Sequence, residues 1–177
     1  MPGQIKIDDG SGNYTVLTNG GSLGSDKTIT IPNTTGTMAL TSDSFGKVLQ
    51  VVTGTLDSAA NTTSSSYVDT GLTASITCSS TSSKVLVLVA QQTAATATSI
   101  PALYLKLLRD STSLGEATMV QNGGSSLYTT TSFVKLDSPS STSALTYKTQ
   151  FKEGSDGTAY VATDNFQDNI VLIEIGA

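Results

Sequence analysis

Histidine is absent from the 177 residues, and there is a single cysteine, Cys78. Without histidine, Ser-His-Asp and Cys-His catalysis and the common zinc ligand sets are excluded. One cysteine excludes an intrachain disulfide. Charge is also scarce, at 13% of residues, with 9 basic side chains against 14 acidic ones and a net charge of −5. The lysines and arginines are scattered, so there is no basic patch for a nucleic-acid backbone or an anionic membrane surface. The longest apolar run, Val85 to Ala90, is far too short to span a bilayer as a helix. The opening residues MPGQIKIDDG carry no signal-peptide core.

Hydroxyl side chains take the place of charge, with 29 threonines and 25 serines. Low charge and many hydroxyls suit a disordered stalk, but here Val, Ile, Leu and Tyr recur in short alternating runs, which disordered chains lack. β-Branched Thr and Val fit a pleated surface, so the composition points to an all-β protein. Two zones separate. Residues 1–45 are rich in Gly, Thr, Asp and Asn, with brief apolar pairs; residues 46–177 hold nearly all the long strand patterns.

In the second zone, strands are expected over residues 47–56, 67–77, 84–91, 102–109, 114–120, 127–136, 143–152, 158–163 and 169–175. Turn sequences such as Asp110-Ser-Thr-Ser, Asp137-Ser-Pro-Ser and Glu153-Gly-Ser-Asp-Gly separate several of them. Period-two alternation puts Val68, Thr70, Leu72, Ala74 and Ile76 on one face, and Leu145, Tyr147, Thr149 and Phe151 on one face of another strand. The segment from Ser99 to Leu108 also fits a Ser-capped helix with an early proline. Alternation of Leu103, Leu105 and Leu107 before a hairpin turn favours a strand. Many short antiparallel strands read as a sandwich or barrel.

Residues 84–91 are apolar on both faces, and so are residues 169–175 apart from Glu174. The outer face of a two-layer antiparallel sandwich normally meets water, so a second apolar face implies cover, most simply another copy of the chain. The larger Leu86 and Leu88 are assigned to the intrachain core because they reach further across it. Val85, Val87 and Val89, with Ile173, are then assigned to the interface between chains.

Segment 28–43, TITIPNTTGTMALTSD, resembles a short strand–turn segment that recurs in bacteriophage tail-fibre and related virion proteins. Segment 64–92, SSSYVDTGLTASITCSSTSSKVLVLVAQQ, resembles one common in phage structural proteins, and ALYLKLLRDSTSLGEAT and DNIVLIEIGA fit the same group. The resemblance implies a jelly-roll head like those of C1q and tumour-necrosis factor, hence a homotrimer, and a location in the virion after assembly in the bacterial cytoplasm. It supplies no catalytic residue. The implied architecture is an antiparallel jelly-roll β-sandwich over residues 46–177 with an extended docking arm, containing short strands, over residues 1–45. The arm's apolar residues Ile5, Ile7, Ile29, Ile31, Met38 and Leu40 are the candidate docking contacts to a major capsid protein or to a tail or baseplate protein. A fully buried Ile or Leu contributes roughly 1.5–3 kcal/mol, whereas ordering each backbone residue costs about 1–2 kcal/mol. Segment 28–43, with four such anchors, therefore needs a partner to be ordered.

Other motifs read as ordinary structure. Asp8-Asp9-Gly-Ser-Gly-Asn lacks the spacing and closing Glu of a calcium loop. Glu153, Asp156, Asp164 and Asp168 sit in turn sequences rather than in the setting of a glycosidase carboxylate pair. Gly20-Gly21-Ser-Leu-Gly is not followed by the lysine of a phosphate loop. Cys78 reads as a small strand-end filler, and Tyr67, Tyr104, Tyr128, Tyr147 and Tyr160 as packing residues rather than a sugar-binding surface. No cofactor or metal is expected. The expectation is a non-enzymatic virion protein of the capsid decoration or cement type, because 177 residues leave little room for a long shaft. A tail-fibre protein that contacts a host-surface glycan, and a polysaccharide-cleaving enzyme, are the alternatives.

Overall fold

The computed structural model describes residues 5–8, 14–17, 47–122, 124–162 and 167–176. The chain divides into two compact units, Met1–Thr41 and Ser42–Ala177. In the first, β1 (Ile5–Asp8) and β2 (Tyr14–Leu17) form an antiparallel pair with Ile5 opposite Leu17 and Asp8 opposite Tyr14. Ile29, Ile31, Met38 and Leu40 lie outside the described residues.

Among its described residues the second unit holds ten strands: β3 (Val48–Leu56), β4 (Ala60–Thr62), β5 (Val68–Thr77), β6 (Lys84–Thr96), β7 (Ala102–Arg109), β8 (Thr112–Val120), β9 (Ser126–Asp137), β10 (Ala144–Glu153), β11 (Thr158–Val161) and β12 (Asp168–Ile175). One sheet has the order β5-β10-β7-β8. The other runs β3-β12-β6-β11-β4, with β9 also paired to β6. All pairings are antiparallel. The chain crosses repeatedly between the sheets, giving a jelly-roll β-sandwich. Strand β6 is the axis of the larger sheet: β9 pairs along it from Val85 to Thr96, while β12 and then β11 share its other side.

Alternation explains most of the core. Thr70, Leu72, Ala74 and Ile76 of β5 are buried, as are Leu145, Tyr147, Thr149 and Phe151 of β10. The segment from Ala102 to Arg109 is a strand, with Leu103, Leu105 and Leu107 fully buried. Two apolar clusters result. One joins Leu72, Ile76, Leu107 and Tyr147 to Val85, Val87, Ile170 and Leu172; the other joins Leu103, Leu105 and Phe151 to Ala95, Ala159 and Val161. Three details exceed the sequence reading. Strand β6 runs five residues further, to Thr96; β8 begins at Thr112; and the three-residue β4 pairs with β11.

The faces of β6 are the reverse of the expected assignment. Val85, Val87 and Val89 are buried in the sandwich, while Leu86 and Leu88 are half-buried on its outer side. The reason is volume. Tyr147, Leu72, Leu107, Ile170 and Leu172 already fill the space between the sheets, which is only about 10 Å deep in a face-to-face packing.

Strand β3 crosses close to β5 at Gly54. A Cβ built on Gly54 would lie 1.9 Å from the carbonyl oxygen of Thr73, a backbone atom that cannot move aside without moving β5. Gly54→Ala is therefore expected to destabilise the head by about 3 kcal/mol, the upper end of ordinary overpacking costs. Gly115→Ala is the control, since its Cβ meets nothing nearer than Phe133 at 3.8 Å. Urea midpoints of the two variants should differ in that order; equal midpoints would mean the β3–β5 crossing is looser than drawn.

Candidate interaction surface

Residues paired across neighbouring strands point to the same side of a sheet. On β6, the even positions face outward. Leu86 lies between Leu136 of β9 and Ile173 of β12, and Ile173 pairs in turn with Val51 of β3. Leu88 lies between Val134 and Val171. Ala94 lies between Tyr128 and Tyr160. The outermost of these side chains are well exposed: Val134 by 75%, Tyr128 by 69%, Val51 by 56% and Leu136 by 50%. The rows between them add Ala90 with Ser132 and Asn169, Gln92 with Thr130, and Thr96 with Ser126 and Thr158. From Leu86 to Thr96, this outer face carries no charged side chain.

The outer face of the four-stranded sheet is built differently. Lys106 pairs with Glu116 at 3.5 Å and Lys148 with Asp69 at 2.9 Å. Gln150 donates to Asp69 at 2.7 Å, and this bond, with that of Lys148, holds the Asp69 carboxyl below the usual carboxylate range. Lys106 stands 3.7 Å over the Tyr67 ring and Lys152 stands 4.5 Å over that of Tyr104. Such pairs are typical of a sheet face that meets water.

Three buried polar centres tie the sandwich together. Glu174 is fully buried on β12 and accepts from the Gln50 amide at 2.6 Å and from the Ser79 backbone N–H and hydroxyl at 2.7 and 2.8 Å. Burial pushes its pKa up, but the donors prevail and hold it down at about 2. Asp137, at the end of β9, accepts from Arg109 Nη1 at 2.6 Å and Tyr147 Oη at 2.7 Å, clamping the sheets to each other. Asp168 and Gln91 form the third.

The sequence-derived candidates separate accordingly. Val85, Val87 and Val89 are core residues rather than interface residues, for the volume reason given above. Ile173 does lie on the outer face. Ile5 and Ile7 lie on β1, opposite Leu17 and Thr15. Glu153 closes its own turn by accepting from the backbone N–H groups of Ser155 and Gly157, and Asp156 accepts from Thr98. Asp164 and residues 9–13 lie outside the described residues. Cys78 is buried, and burial together with Glu174 and Asp137 pushes its thiol pKa up. Tyr147 is in the core, while Tyr128 lies on the outer face of the larger sheet. Among the described residues, no three His, Cys, Asp or Glu side chains cluster as metal ligands would.

What sequence reasoning missed was readable in phase. Glu174 continues the inward series Ile170, Leu172, as Gln91 continues Val85, Val87, Val89. A polar residue on the core phase of an apolar strand signals a buried hydrogen-bonded centre. No protein-family model matches the chain, and no curated protein matches it significantly.

Proposed function

We propose that the chain is a non-enzymatic structural protein of a bacteriophage virion. It is a homotrimer of the capsid-decoration type, with residues 46–177 as its head and residues 1–45 as its docking arm. The observation that carries this reading is the contrast between the two outer faces of one sandwich. The four-stranded sheet carries ion pairs; the larger sheet offers a charge-free surface bearing Val51, Leu86, Leu88, Val134, Leu136, Val171 and Ile173. With a twelve-residue β9 and a width of four strands, that surface measures about 40 by 19 Å, or about 760 Å², from ordinary strand spacings. A standard protein interface needs about 800 Å² per partner. A second copy suits it well, because neutral apolar surface meeting its like strands no charge out of water. The phage resemblance of segments 28–43 and 64–92 supports the virion setting.

Light scattering of the purified chain at micromolar concentration should give the mass of three chains. A monomer would overturn the assembly. Copy number per particle separates the shell from the tail: hundreds of copies place the protein on the capsid, and a few tens or fewer would replace the decoration role with the tail-fibre one.

A further inference from the structure

The sandwich is closed on one side and open on the other. On the closed side β3 lies against β5: Gln50 Nε2 donates to the Thr77 carbonyl at 2.7 Å, and the backbone at Gly54 meets that of Thr73. On the open side β8 and β9 face each other, with the Phe133 ring 3.8 Å from a Cβ built on Gly115. Among the described residues, β8 pairs only with β7 and β9 only with β6. Each therefore turns a row of backbone N–H and C=O groups outward, and such a row is a template for a further strand.

Among the described residues, β3, β4, β5, β8 and β9 border the two sheets. The first four carry features that spoil the template. Strand β4 is three residues long. Strands β3, β5 and β8 are bulged, with the register shifting at Leu49 of β3, between Asp69 and Thr73 of β5, and at Leu114 of β8. A bulge bends its strand and breaks the regular ladder. Strand β9 has neither feature. It is twelve residues long and pairs with β6 without a shift from Ser126 to Asp137. Its segment 126–134, SLYTTTSFV, contains no charge, proline or glycine, the composition that favours association of strand with strand.

Lys135 supplies what β9 lacks. Its register partner is the buried Val87, so its side chain leaves β9 on the core-facing side. Of the residues on that phase from Thr131 to Asp137, only Lys135 is exposed; Thr131 and Asp137 are buried and Phe133 is half-buried. The Asp137 carboxylate is already held by Arg109 and Tyr147. We propose that Lys135 guards this edge and keeps the β9 of a second copy from pairing with it. A strand added to β9 would cover the opening toward β8 and take the ammonium out of water, where an unpaired charge is costly. Inward-pointing charges protect edge strands in this way. The guard is independent of the trimer proposed above, because it blocks one edge whatever surface the copies share.

The test compares full-length Lys135→Val with the parent chain and with Lys47→Thr. Lys47 is exposed ahead of β3, so its loss changes the net charge equally without touching β9. Light scattering over a concentration series should show Lys135→Val growing to about twice the parent mass or beyond, as joined edges require, while Lys47→Thr keeps the parent mass. Amide exchange supplies the second reading. In the parent, the β9 amides that face away from β6 should exchange fast; in Lys135→Val they should slow by about tenfold or more as they gain partners. A Lys135→Val chain of parent mass, growth without new protection on β9, or a parent in which every β9 amide is already protected would each overturn the guard. The last is read on the parent alone. A monomeric parent would overturn the trimer and leave the guard standing, since the masses are compared with the parent's own.

Discussion

Val87→Asp is expected to unfold the head, whereas Leu88→Asp is expected to leave it folded and to break the proposed assembly. Val87 is fully buried within the cluster containing Leu72 and Tyr147, and its register partner on β9, Lys135, is exposed, so pairing a new carboxylate would mean drawing that ammonium out of water. An unpaired charge there costs several kcal/mol even after its pKa adjusts, which is comparable with a whole domain stability of about 5–15 kcal/mol. Leu88, one residue on, lies on the charge-free outer face between Val134 and Val171. In a lone head its carboxylate would reach water at little cost; in a trimer, three like charges would be pressed into apolar surface. Circular dichroism should therefore report a lost fold only for Val87→Asp, and light scattering should report a monomer for Leu88→Asp. An intact Leu88→Asp trimer would show that assembly uses another surface, while the core assignment would stand or fall with Val87 alone.

The strands were legible because alternation in this chain is clean. Val68 to Ile76 and Leu145 to Phe151 are amphipathic at period two, and each folds with that phase inward. The strand between Ser99 and Leu108 was open to a helical reading, and β-type alternation decided it correctly. The orientation of β6 was not legible, because both of its faces are apolar and alternation cannot say which one faces the partner sheet. That choice depends on the volume contributed by Tyr147, Leu107 and Leu172, which are distant in sequence and meet β6 only after folding. Strand β4 is three residues long, too short for any periodic signal.

The candidate surface was half legible. The argument that two apolar faces need two covers pointed to β6 and to Ile173, which lies on the outer face beside Leu86. It could not reach Val134, Leu136 or Val51, because β9 and β3 look like ordinary half-exposed strands until the register sets them beside Leu86 and Leu88. The buried polar centres needed no tertiary information to be suspected. Glu174 was already the exception in an apolar strand, and its phase places it inside.

Glu174 should set the acid limit of the fold. Its side chain is fully buried, and its donors, Gln50 and Ser79, hold its pKa at about 2 against the upward push of burial, compared with an ordinary value of 4.5. A carboxylate whose folded pKa is depressed contributes stability that is present above the unfolded pKa and is lost as pH falls through the folded one. Its contribution should thus decline between pH 4.5 and about 2. Glu174→Gln keeps the shape but turns an amide nitrogen toward the Gln50 amide or toward the Ser79 N–H, setting donor against donor. The expected cost at pH 7 is about 2–4 kcal/mol, the range for losing buried hydrogen bonds to a charged acceptor. In urea melts, the variant should show its full deficit at pH 7 and converge toward the parent as pH falls below 4.5. A deficit that stays constant down to the acid limit would mean that the ionised carboxylate is not what holds β12 to Ser79 and β3.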